Sequence, residues 1–195
     1  MAFVEPPGSL RRRFASWLLG LFGWKPVLVP PPGPKFVTVG YPHTSNWDFF
    51  PAILWAWTVG LHMNFVGKKE LFKGPLGPLM RALGGIQLDR DKSANFVQQM
   101  AEVIRSREKI ALIIAAEGTR SRTEYWRSGF YYMALEAGVP IALGYLDYSK
   151  GEVGIGAYLV PTGDIQSDFE AIKAFYKDKV GKYPDKQGVI ALKPS

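Results

Sequence analysis

Cysteine is absent from the 195 residues, and only two of them are histidine. The first absence excludes disulfides, thiolate metal sites and a cysteine nucleophile. The second leaves too few imidazoles for a zinc site built on histidine. Long hydrophobic runs are missing as well. "FASWLLGLFGW" (14–24) and "FFPAILWAWTVGL" (49–61) both fall short of the ~20 residues that a membrane-spanning helix needs. Acidic side chains are the minority, 17 against 24 lysines and arginines, for a net charge of +7. That balance suits an anionic partner: nucleic acid, an anionic membrane surface or a phosphate-bearing substrate. With no long basic run and no recognisable reading motif, nucleic acid is not the expected partner.

What is present suffices for one domain with a substantial core, since 47% of the residues are hydrophobic. Residues 10–24, "LRRRFASWLLGLFGW", read as a helix with Arg11, Arg12 and Arg13 at its head and an apolar body. Glu5 and two prolines precede it and no small-residue cleavage site follows, unlike a secretory signal. Two readings stay open: an interfacial helix with Trp17, Leu18, Leu21, Phe22 and Trp24 below the lipid head groups, or a helix packed on the protein's own core.

"VPPPGP" (29–34) reads as a stiff linker. The chain therefore divides into an N-terminal helix (1–28), a linker (29–35) and the main domain (36–195). Strands are expected at "KFVTVG" (35–40) and over 62–67, 85–89, 109–115, 140–147, 153–160 and 188–192. Helices are expected over 93–106 and over 167–180, the latter opening with Ser167 and Glu170 in capping-box register. Alternation of this kind predicts an α/β domain, a largely parallel sheet flanked by helices, preceded by the short amphipathic helix.

Polar residues cluster at three of the expected strand ends. "HTSNWDFF" (43–50) puts His43 just before a helix start and Asp48 in its first turn, with Thr44 or Ser45 as the N-cap. There Asp48 is either a carboxylate favoured by the helix dipole or the group that fixes the tautomer of His43, leaving its other nitrogen as a base. "KIALIIAAEGTRS" (109–121) runs a buried strand into Glu117, Gly118, Thr119 and Arg120, at the strand end where open α/β sheets bind ligands. Gly118 admits close backbone approach, and Arg120 offers a fork suited to phosphate. "GGIQLDR" (84–90) ends on Arg90.

The ordered set "HTSNWD", "GGIQLDR", "AEGTRS" and "EAGVPIAL" resembles the four blocks of the glycerolipid acyltransferase family, typified by 1-acyl-glycerol-3-phosphate acyltransferases, over roughly residues 36 to 148. Ala116 stands where that family usually has proline, and Leu143 replaces the second proline of its fourth block. The resemblance implies acyl transfer from acyl-CoA or acyl carrier protein, a co-substrate rather than a cofactor, to a lysophospholipid hydroxyl, giving phosphatidic acid when 1-acyl-glycerol-3-phosphate is the acceptor. His43 and Asp48 would be catalytic. Arg90 and Arg120 would hold the phosphate, and Glu117, Gly118 and Thr119 would position the glycerol unit. Lys68 would be a candidate oxyanion donor, although a solvated lysine at a strand end reads the same way. No metal is implied. Another lysolipid or an amino-lipid acceptor, or a lipid-surface binding protein without turnover, fits the same charges. The expected place of work is the cytoplasmic face of a membrane, held peripherally or monotopically through residues 10–24.

Overall fold

A computed structural model describes residues 9–67, 69–87 and 96–194. It opens on helix α1 (Leu10–Leu21), capped by Ser9, whose hydroxyl accepts from the Arg12 N–H at 3.3 Å. At 3.6 residues per turn, Ala15 and Leu19 fall on one side and are fully buried. Leu10, Phe14, Trp17 and Leu21 fall on the opposite side and are exposed. The reading of a helix packed on the protein's own core thus holds for the face that carries Ala15 and Leu19. The inner face packs on helix α2 (Phe49–Val59), where Arg12 Nε donates to the Thr58 carbonyl at 3.1 Å and Arg11 lies 5.8 Å from the Trp57 ring.

After α1 the chain enters strand β1 (Lys25–Leu28), which sequence patterning misses because it is short and contains Pro26. Proline is tolerated there because β1 is an edge strand. The Trp55 indole donates to the Val27 carbonyl at 2.9 Å and ties the edge to α2. Residues 29–34 only carry the chain from this edge to β2 (Lys35–Tyr41) at the centre of the same sheet. The expected boundary between residues 28 and 36 is thus not a boundary in the packing.

The remaining elements alternate: β3 (Met63–Gly67), α3 (Leu76–Ala82), β4 (Gly85–Gln87), α4 (Phe96–Ser106), β5 (Ile110–Ala115), α5 (Gly129–Ala137), β6 (Ile141–Asp147), β7 (Glu152–Leu159) and α6 (Ile165–Tyr176). The sheet order is β1-β7-β6-β2-β5-β3-β4, and every neighbouring pair is parallel except β6 and β7. Alternation along β2 sends Val37, Val39 and Tyr41 into one core, with α4, α5 and α6, and Phe36 into the other, with α1 and α2. Burial on both faces explains the unbroken apolar strands.

Two expectations fail locally. Asp164, not Ser167, caps α6, accepting from the Gln166 and Ser167 N–H groups at 3.1 and 3.2 Å, so the helix starts at Ile165. Residues 188–192 join the sheet nowhere and make one isolated bridge, Leu192 to Trp126. Their backbone is satisfied by the turn after β5: the Val189 N–H donates to the Thr123 carbonyl at 2.8 Å, and the Trp126 N–H to the Ala191 carbonyl at 2.7 Å. Among the described residues no helix is long and apolar enough to cross a membrane.

Candidate active site

Strand β2 lies between β5 and β6, all three parallel, with Gly40 opposite Ala115 and Tyr41 opposite Tyr145. Their C-terminal ends therefore open side by side, and each delivers a polar side chain within a few residues. His43 follows β2, Glu117 follows β5, and Tyr148 follows β6. This is where ligands bind in open α/β sheets.

The segment after β2 turns through one 3-10 turn (Asn46–Asp48) before α2, with the Ser45 hydroxyl accepting from the Trp47 N–H at 3.1 Å. The turn draws Asp48 back under the preceding residues. Its Oδ2 accepts from the Thr44 and Ser45 N–H groups, both at 2.9 Å, and lies 3.1 Å from His43 Nδ1. Its Oδ1 accepts from the Tyr148 hydroxyl at 2.8 Å. Asp48 is 2% exposed, so these four groups replace water around the carboxylate. A buried carboxylate with three other donors is an acceptor toward the imidazole, which places a proton on Nδ1 and makes Nε2 the bare nitrogen of the neutral ring. The His43 side chain is 30% exposed, so the ring is open to a substrate.

Glu117 is turned inward. It is 2% exposed; Oε2 accepts the backbone N–H of His43 at 2.7 Å and Oε1 that of Gly188, also at 2.7 Å. Burial pushes its carboxyl above the ordinary range, against the pull of the Gly188 and His43 N–H groups. Both of its oxygens are thus engaged by backbone, one of them clamping the residue that carries the imidazole. Gly188 leaves room for this contact: a Cβ there would stand 2.9 Å from Glu117 Oε1 and 2.7 Å from Thr123 Oγ1, so one of them would have to shift. The neighbouring segment is tied down as well. The Tyr41 hydroxyl donates to the Gly188 carbonyl at 2.9 Å and accepts from Gln187 Nε2 at 2.9 Å. The Tyr183 N–H donates to the Thr44 hydroxyl at 3.2 Å.

Thr119 and Arg120 are exposed in the turn that follows Glu117, with Thr119 Oγ1 accepting from the Ser121 N–H at 3.3 Å. Gly118 takes φ +67°, the left-handed region that favours glycine, and an added Cβ would approach Arg127 Nε to 2.5 Å. Lys68 and Arg90 lie outside the described residues. Sequence reasoning missed Tyr148 and Gly188. The first was within reach, because "LGYLDY" ends a strand expected to open on the same side as the other site residues.

The sequence model of the family described as Acyltransferase matches residues 31–142, more than half of the chain, including His43, Asp48 and the Glu117–Arg120 turn. The chain belongs to the acyltransferase family. This acyltransferase is similar in fold to the crystal structure of the 1-acyl-sn-glycerophosphate (LPA) acyltransferase PlsC from Thermotoga maritima. The TM-score is 0.58 at 20% sequence identity, covering 88% of this chain and 80% of that one. No curated protein matches the sequence. Tyr148 and Gly188, which hold the two carboxylates of this acyltransferase, both lie beyond the matched family segment.

Proposed function

We propose that this acyltransferase moves a fatty acyl group from an acyl thioester, acyl-CoA or acyl carrier protein, to the hydroxyl of a lysophospholipid, with 1-acyl-glycerol-3-phosphate as acceptor and phosphatidic acid as product. The observation that carries this reading is the 3.1 Å contact between His43 Nδ1 and a buried, fully engaged Asp48, on a ring whose other nitrogen is free to act as a base. His43 Nε2 removes the proton of the acceptor hydroxyl as its oxygen attacks the thioester carbonyl. Asp48 balances the imidazolium, a role typically worth 10²–10⁴-fold. The tetrahedral intermediate then expels the thiolate as the C–S bond breaks, the imidazolium returns the proton to sulfur, and ester and free thiol leave. No enzyme nucleophile takes part, in keeping with a chain that has no cysteine.

Arg120 and Arg90 hold the acceptor phosphate by charge, and Thr119 orients the glycerol. Both substrates carry apolar chains, so the reaction belongs at a bilayer surface. The outer stripe of α1 supports that placement, with Trp17 62% exposed beside Leu10, Phe14 and Leu21 and the exposed Arg13 next to them. The protein then sits peripherally on the cytoplasmic face.

The test is thioester consumption with lysophosphatidate as acceptor, read by mass spectrometry of the lipid product. His43→Ala should lower kcat by 10²–10⁴-fold with the melting temperature kept. Activity within tenfold of wild type would remove the base from the mechanism. For the membrane, Phe14→Asp with Trp17→Asp alters only the outer face of α1. Loss of co-sedimentation with anionic vesicles is expected, and unchanged binding would place docking elsewhere.

A further inference from the structure

We propose that Tyr148 is a positioning residue for the His43–Asp48 pair: its hydroxyl pins Asp48 Oδ1 so that Oδ2 stays aimed at the imidazole. The inference rests on His43 acting as the base. Three donors meet on Oδ2, and all three come from residues 43–45, within five positions of Asp48. Local chain geometry brings them there, but it supplies no donor to the other oxygen. Tyr148, 100 residues away in sequence, supplies that donor, giving to Oδ1 at 2.8 Å and so resisting rotation of the carboxylate plane out of line with the imidazole.

The phenol is itself held from three sides. Its residue follows β6, the parallel neighbour of β2. Its N–H donates to the Val180 carbonyl at 2.9 Å. Its ring meets Trp24 edge to face, with centroids 4.8 Å apart and planes at 82°. Burial first, and then the Asp48 carboxylate, raise the phenol above its ordinary pKa, so the hydroxyl keeps its proton and remains a donor. Asp48 thus faces a local turn on one oxygen and a tertiary contact on the other. Without Tyr148, Oδ1 is a buried charged atom lacking a partner, and the carboxylate is free to rotate or admit water.

The experiment is a double-mutant cycle between Tyr148→Phe and Asp48→Asn, assayed with acyl-CoA and lysophosphatidate in detergent micelles. Phenylalanine keeps the ring against Trp24 and removes only the hydroxyl. In the wild-type background kcat should fall roughly 10–100-fold, the range for losing a hydrogen bond to a charged group, with acceptor KM within about twofold. In the Asp48→Asn background the same change should cost less than about twofold, because the carboxylate it orients is gone. An equal loss in both backgrounds, a raised KM with kcat kept, or an unchanged kcat each overturns the proposal.

A second readout needs no turnover. The two histidines, 43 and 62, give the only ring signals in 15N-histidine-labelled protein. Tyr148→Phe should move the His43 Nδ1–H resonance and leave that of His62 in place; an unmoved His43 signal counts against the proposal. Full activity of His43→Ala would instead sink the general-base reading, whatever Tyr148→Phe does.

Discussion

Asp48 and Glu117 serve the same histidine, each 2% exposed, and they are built in opposite ways. Asp48 belongs to a turn whose donors, apart from Tyr148, lie three to five residues away. Glu117 reaches His43 across 74 positions and Gly188 across 71. One carboxylate meets the imidazole, while the other holds the backbone from which the imidazole hangs. The contact to the His43 imidazole is thus local apart from the tie to Tyr148, and the position of His43 is set by long-range assembly at the ends of β2 and β5.

Removing each carboxylate should break the comparison cleanly. Asp48→Asn should lower kcat by 10²–10⁴-fold, read by thioester consumption, while one side-chain oxygen remains to accept from the turn. Glu117→Ala should act mainly on stability. It strands two buried N–H groups at about 1–3 kcal/mol each, measured by urea unfolding, and activity falls only as far as His43 loosens. A mainly kinetic effect of Glu117→Ala would mean that it touches the reaction after all. Gly188→Ala pushes a methyl group against Glu117 and Thr123 and should cost about 1–3 kcal/mol, the range for overpacking. The smallest effect sharpens the contrast by pH. Glu117 has a raised folded-state pKa, so the folded protein holds its proton longer than the unfolded chain does. Its contribution to stability is fully present below the ordinary value of 4.5 and is lost as pH rises through the folded value. Wild type should therefore lose stability relative to Glu117→Gln across that window, and parallel curves would show that the carboxyl is not perturbed.

Legibility in the sequence followed the same division. The approach of Asp48 to His43, a cap at Thr44 or Ser45 and the alternation of strands with helices could be read from spacing, because each depends on residues a few positions apart. Strand β1 escaped because four residues with a proline give no period; only its neighbour β7 makes them a strand. Residues 188–192 look like a strand by composition, yet the turn after β5 takes up their hydrogen bonds. Glu117 was expected beside the glycerol from its place at a strand end and the acyltransferase resemblance, whereas the backbone groups it meets lie 74 and 71 positions away.

The sequence by itself determined the helix start that brings Asp48 back to His43 and the apolar body of α1, both through contacts within a few turns of chain. Only the tertiary structure decided which stripe is buried, where the Glu117 carboxylate goes, and that Tyr148 meets Asp48. The reason is physical: a buried carboxylate must find donors, and the donors it finds depend on which strand ends the sheet brings together.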